Sequence, residues 1–104
     1  MSAVYAIAFD LNMDMLNKTY HNDSYNNAYG DIEKVLKTHG FSKQQGSVYF
    51  GTANSTAVDC TLAIMDVASD YDWFAPSVTD VRMLRVEDNN DLKPIIEKIA
   101  SIKK

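Results

Sequence analysis

Eight residues near the N-terminus, Val4-Tyr5-Ala6-Ile7-Ala8-Phe9-Asp10-Leu11, are apolar on both of their alternating sets. Tyr5, Ile7, Phe9 and Leu11 fall on one side; Val4, Ala6 and Ala8 fall on the other. A strand of this composition has to be central, with both faces covered or nearly so. Asp10 lies on the small-residue face at the strand's end, where a carboxylate breaks the pattern.

The rest of the chain supplies what such a strand needs. Asn12 to Asn22 is polar, with Met13, Met15, Leu16 and Tyr20 scattered through it, and reads as a loop with one helical turn. From about Ser24, the residues Tyr25, Ala28, Tyr29, Ile32, Val35, Leu36 and His39 form one helical stripe. Asp23 or Ser24 can cap its start and Gly40 can end it. Phe41 to Gly51 predicts a hairpin of two short strands around Gln44-Gln45-Gly46. Asn54, Ser55 or Thr56 can cap a second helix that runs to about Tyr71 with Ala57, Cys60, Ile64, Val67 and Tyr71 as its stripe. Pro76 blocks its continuation. Val78 to Glu87 reads as a strand, and Asp91 can cap a last helix carrying Leu92, Ile95, Ile96, Ile99 and Ile102. The order predicts an α+β fold, a ferredoxin-like βαββαβ sheet with an additional C-terminal helix, over residues 1–104 as one domain.

Bulk properties narrow the function. At 104 residues with 46% hydrophobic and 23% charged side chains, the chain can bury a core without staples. No apolar run approaches the ~18–20 residues of a membrane span. The N-terminus lacks the pattern of a signal peptide, and Cys60 is the single cysteine, so the expected home is the cytoplasm. The net charge of −4 argues against a general nucleic-acid binder, which needs lysines and arginines against phosphate. Position matters more than the total, and the only arginines, Arg82 and Arg85, lie close together.

In the ferredoxin-like arrangement the end of the first strand lies beside the starts of the third and fourth. Asp10, Ser47, Asp80 and Arg82 would then gather at one end of the sheet. Neighbouring carboxylates raise one another's pKa or recruit a cation. Mg²⁺ suits such a site, because one or two carboxylates can hold it against a phosphate. Plainer readings stand beside this one. Asp10 can be a turn or cap residue, Asp80 and Arg82 a same-face ion pair, and Ser47 a turn residue. His39 fits the apolar stripe at a helix end, and His21 sits in a polar loop. Tyr5, Tyr25 and Tyr29 read as core. Tyr49 and Phe50 alternate, so one of them can be exposed to stack on a base.

Several segments together resemble the virulence-associated protein D family. They are Tyr5-Ala6-Ile7-Ala8-Phe9-Asp10-Leu11, Gly40-Phe41, Gln45-Gly46-Ser47-Val48-Tyr49, Trp73-Phe74, Val78-Thr79-Asp80-Val81-Arg82 and Val86-Glu87-Asp88. They occur in order at family-like spacing from about Val4 to beyond Asp88. The resemblance implies a ferredoxin-like fold, a homodimer, and similarity in fold to the small CRISPR-associated endoribonucleases of the adaptation machinery. It further implies an endoribonuclease acting as the toxin of a toxin–antitoxin module, with RNA as substrate and a protein antitoxin as partner. Position by position, it implies Asp10, Ser47 and Asp80 as catalytic residues; on the carboxylate chemistry above, Asp10 is also the expected ligand of a Mg²⁺ ion, or else acts on the attacking group. Arg82, Tyr49, Gln45 and, more faintly, Leu16 are the expected substrate contacts. The segment from Asn12 to Asn22 departs most from the family pattern.

The leading expectation is therefore an RNA-cleaving homodimer. Its main rival is a non-catalytic RNA- or protein-binding module, because ferredoxin-like folds host many functions. A third reading, a small-molecule regulatory dimer, has no ligand motif to support it. Dimerisation has its own argument: the first strand is apolar on both faces while three helices cover only one.

Overall fold

The computed structural model describes residues 3–20 and 26–103. Strand β1 (Val4–Leu11) is followed by helices α1 (Met13–Thr19) and α2 (Asn27–Thr38), then strands β2 (Ser42–Gln45) and β3 (Val48–Phe50). Helices α3 (Ala57–Asp70) and α4 (Phe74–Ser77), strand β4 (Val78–Val86) and helix α5 (Lys93–Ile102) complete it. The sheet order is β2-β3-β1-β4, with every neighbouring pair antiparallel. This is the ferredoxin-like order, with α5 appended.

Local chemistry explains the element ends. Gly40, at φ 86°, closes α2: its N–H donates to Lys37 O at 3.1 Å and the Phe41 N–H donates to Leu36 O at 3.0 Å. The paired bonds satisfy the last carbonyls, and Phe41 and Leu36 are both buried beside them. Thr56 caps α3 reciprocally: its side chain accepts from Asp59 N while the Asp59 carboxylate accepts from Thr56 N. Gly46, at φ 52°, forms with Ser47 the two-residue turn between β2 and β3. The caps considered for α2, Asp23 and Ser24, and the stripe residue Tyr25 lie outside the described residues.

Two short helices differ from the sequence expectation. The segment after β1 forms a seven-residue helix, α1, whose N-cap Asn12 accepts from Met15 N at 2.9 Å. Only Leu16 of α1 is buried, so its sequence shows no stripe. Helix α4 includes Pro76, which is tolerated because the first-turn N–H groups have no helical partner.

Helices α2 and α3 cover one face of the sheet. Phe9 stacks between Tyr29 of α2, at 6.4 Å, and Tyr49 of β3, at 6.0 Å. Ile7, Ile32, Leu36, Phe41, Cys60, Ala63 and Val67 complete this part of the core. Beside it, Trp73 is buried against Tyr71 at 5.0 Å and Tyr20 at 5.2 Å. Ser77, fully buried, satisfies its hydroxyl against Thr19 Oγ1 at 3.1 Å.

Among the described residues no helix covers the opposite face, although Ala6 on it is fully buried. The β1–β4 register pairs Val4 with Val86, Ala6 with Leu84, Ala8 with Arg82 and Asp10 with Asp80. The β1–β3 register adds Phe50 opposite Ala6 and Val48 opposite Ala8. Directly opposed residues share a face, so these side chains line one side together. The C-terminal helix does not cover it either, for α5 buries none of its residues. Its apolar stripe therefore packs on nothing within the described chain, whereas the sequence pattern predicted a helix with a face to bury.

Candidate active site

Asp10 ends β1 on the open face, and its register partner on β4 is Asp80. Directly opposed antiparallel residues hold their Cβ atoms about 5 Å apart. The expected convergence of Asp10 and Asp80 at one end of the sheet is therefore present.

Three contacts fix the backbone at this point. A register shift between Asp10 and Leu11 passes over Thr79: Asp10 pairs with Asp80, but Leu11 pairs with Val78. The Thr79 hydroxyl donates to Asp10 O at 3.2 Å, and the Asn12 N–H donates to Ser77 O at 2.7 Å. A bulge of this kind turns a strand end and re-aims the adjacent side chain. On the other side of β1, the Phe9 N–H donates to Ser47 O at 3.2 Å. The β2–β3 turn is thereby tied beside Asp10, and Ser47 is half-buried there.

Electrostatics divide the two carboxylates. Asp80 accepts from Arg82 Nε through both oxygens, at 3.2 and 2.9 Å. The hydrogen bond and charge of Asp80 push the Arg82 guanidinium above its ordinary value. The same-face ion pair anticipated for these two residues thus exists, on the surface. Among the described residues, Asp10 makes no side-chain hydrogen bond or ion pair. It is exposed, with a cationic group two positions from its nearest acidic neighbour.

As a cation site the donor set is small. Among the described residues, no cluster of three or more His, Cys, Asp or Glu side chains could hold a metal. Two neighbouring carboxylates do suit Mg²⁺ in its usual manner, which keeps several waters and borrows oxygens from a phosphate. Such an ion would be held by Asp10, with Asp80 as a second ligand only if it released Arg82.

The expected substrate contacts fare unequally. Arg82 and Gln45 are exposed. Tyr49 is 1% exposed and stacks on Phe9 in the core, and Leu16 is fully buried. Both are corrected to core residues: the hairpin register turns Tyr49 toward α2, and α1 turns Leu16 inward. The half-exposed aromatic of the pair is Phe50, on the open face. His39 ends α2 and pairs with Asp66 of α3 through Nε2 at 2.5 Å, a tie between helices. His21 lies outside the described residues. Thr79 was missed by sequence reasoning, and a threonine at a strand start carries no signal of a bulge.

No helix among the described residues is long and apolar enough to cross a membrane. No family model matches the chain. Curated relatives do. The chain is similar to "Endoribonuclease VapD 2" of Riemerella anatipestifer, 46% identical over 93 residues that make 89% of this chain and 99% of that protein. "Endoribonuclease VapD homolog" of Helicobacter pylori (strain ATCC 700392 / 26695) is 46% identical across 90% of this chain and 97% of its own length. "Endoribonuclease VapD" of Dichelobacter nodosus is 43% identical, with 90% and 98% covered. Likeness of this degree over nearly the whole of both partners leaves one conclusion: the chain belongs to the VapD family.

Proposed function

We propose that this protein is an endoribonuclease that cleaves RNA phosphodiester bonds as a homodimer, with Asp10 at the centre of its active site. The observation that carries the proposal is the register pairing of Asp10, whose carboxylate has no partner among the described residues, with Asp80 on a sheet face without helices. The relatives' shared name, endoribonuclease, supports the reaction.

Each residue has work that suits its position. Asp10, without a side-chain partner among the described residues, is the group that can accept the proton of an attacking hydroxyl or ligate Mg²⁺. Bound there, the ion would stabilise negative charge on the phosphoryl group. Asp80 holds Arg82 beside Asp10, so that the guanidinium can meet a phosphate oxygen in geometry it favours. Ser47 offers a hydroxyl from the adjoining turn to another phosphate oxygen. Gln45, exposed on β2, extends the surface away from the scissile bond.

The open face supports the dimer. Val4, Ala6, Ala8, Val48, Phe50, Leu84 and Val86 line it beside the acidic residues. Small side chains on β1 let a second sheet approach closely, and a two-fold axis would set each Asp10 near its copy. RNA cleavage by such a protein fits the toxin of a toxin–antitoxin module acting in the cytoplasm, restrained by a protein antitoxin.

The test uses purified protein and labelled RNA, with Mg²⁺ or with a chelator, and Asp10→Asn protein prepared alongside. Parent protein should cleave and the variant should not. Equal cleavage by both would remove the assignment, and binding without cleavage by either would favour a non-catalytic RNA-binding module. A cyclic phosphate on the product would identify the RNA 2′-hydroxyl as nucleophile, and its absence would identify water.

A further inference from the structure

Helix α5 projects from the rest of the chain. Its stripe of Leu92, Ile95, Ile96, Ile99 and Ile102 is 48–69% exposed. The Cα radius of gyration is 16.4 Å, against roughly 13 Å for a compact chain of this length. Five large apolar side chains in one stripe make a patch on the order of 500 Å², as large as the largest on typical monomers.

The same chain carries a matching concavity. Between α3 and β4 lies a groove of about 230 Å³, lined by the apolar Ile7, Cys60, Ile64, Met65, Val81 and Met83 together with Thr61 and Arg82. Helix α3 also exposes Val58 and Leu62. Because β4 is the sheet's edge strand, the groove is open from the side. Charge is complementary along the helices: the charged residues of α3 are Asp59, Asp66 and Asp70, whereas the α5 region carries Lys93, Lys98 and Lys103 against Asp91 and Glu97. Within the groove itself Arg82 is the charged group, and Asp59 and Asp66 are already held by Thr56 and His39.

We propose that α5 is exchanged between two copies of this chain, each laying its isoleucine stripe into the α3–β4 groove of the other. The exchange rests on the dimer proposed above and adds how it is locked. Residues Glu87 to Leu92 connect β4 to α5. Fully extended, such a connection spans about 20 Å, enough to pass round the β4 edge once the open faces meet. Two exchanged helices with their two grooves bury on the order of 2,000 Å², the size of a stable specific interface. A groove and a helix that fit each other on one chain are the requirement for reciprocal swapping.

Paired cysteines test it. Two chains of different mass are prepared in a Cys60→Ala background, one with Met65→Cys and the other with Ile99→Cys, then mixed, equilibrated and treated with a short bismaleimide. Exchange predicts a covalent heterodimer. A chain carrying both cysteines that cross-links only within itself would overturn the proposal, since α5 would then be folding back onto its own groove. Absence of either product would overturn it too. Independently, Ile95→Asp with Ile99→Asp should raise the dimer dissociation constant at least tenfold, with circular dichroism reporting retained fold. An unchanged constant would remove the exchange while leaving both the dimer and the active-site reading standing.

Discussion

The two faces of β1 differ in what their residues are for. On one, Tyr5, Ile7, Phe9 and Leu11 enter the core beneath α2 and α3. On the other, Val4, Ala6, Ala8 and Asp10 share the face without helices beside β3 and β4, with Ala6 buried and Asp10 exposed. The large side chains decide how the chain folds; the small ones leave room for a second molecule and end in the carboxylate. One strand thus couples two kinds of requirement through a two-residue period, and substitutions one position apart should have unlike consequences.

The adjacent pair Phe9 and Asp10 gives the sharpest contrast. Phe9→Ala should destabilise the fold by about 3–5 kcal/mol, read from denaturant unfolding. Asp10→Asn should lower RNA cleavage at least 100-fold, about 2.7 kcal/mol in barrier height, while moving stability by less than about 0.5 kcal/mol. If the two effects were interchanged, or if Asp10→Asn unfolded the protein, the division between faces would fail. Ala8→Lys, on the open face, should leave the protein folded yet monomeric in light scattering, with cleavage reduced. A dimer that survives it would move the interface elsewhere.

Away from β1 the expected effects are smaller, and one of them depends on pH. Burial, a 2.6 Å hydrogen bond to Asp31 and the charge of that carboxylate push the Tyr20 phenol up to about 12. The folded state holds the proton more tightly than the unfolded state. The resulting stability is complete below pH 10 and is lost as pH rises from about 10 to about 12. Tyr20→Phe should flatten that alkaline dependence, as measured by melting temperature against pH. The smallest effect belongs to the His39–Asp66 pair: Asp66→Asn should cost less than about 1 kcal/mol, because the carboxylate is more than half exposed.

Much of this architecture was legible because its signals are local. The run at β1, the α2 stripe closed by Gly40, and Thr56 with Asp59 at the head of α3 each declare an element within a few residues. Asp10 was visible as a break in an apolar alternation, and the antiparallel order was enough to set Asp80 opposite it. Three features were hidden because each depends on distant partners. Helix α1 buries only Leu16, too little to leave a period. Tyr49 and Phe50 are equally good strand residues, and only the placement of α2 decides which is buried. The isoleucines of α5 announce a face that must be covered, but a periodicity cannot name the surface that covers it.

The position of Trp73 has a practical consequence. It is the chain's single tryptophan, enclosed by Tyr20, Tyr71 and Phe74 on the helix side of the sheet. The molecule therefore carries one tryptophan fluorophore, excitable apart from its tyrosines, that responds to loss of the packed interior and lies on the side of the sheet away from the open face. Emission should stay constant when subunits separate and shift red only when the chain melts. Dissociation and unfolding could then be followed as separate events in a single dilution and denaturation series without a label.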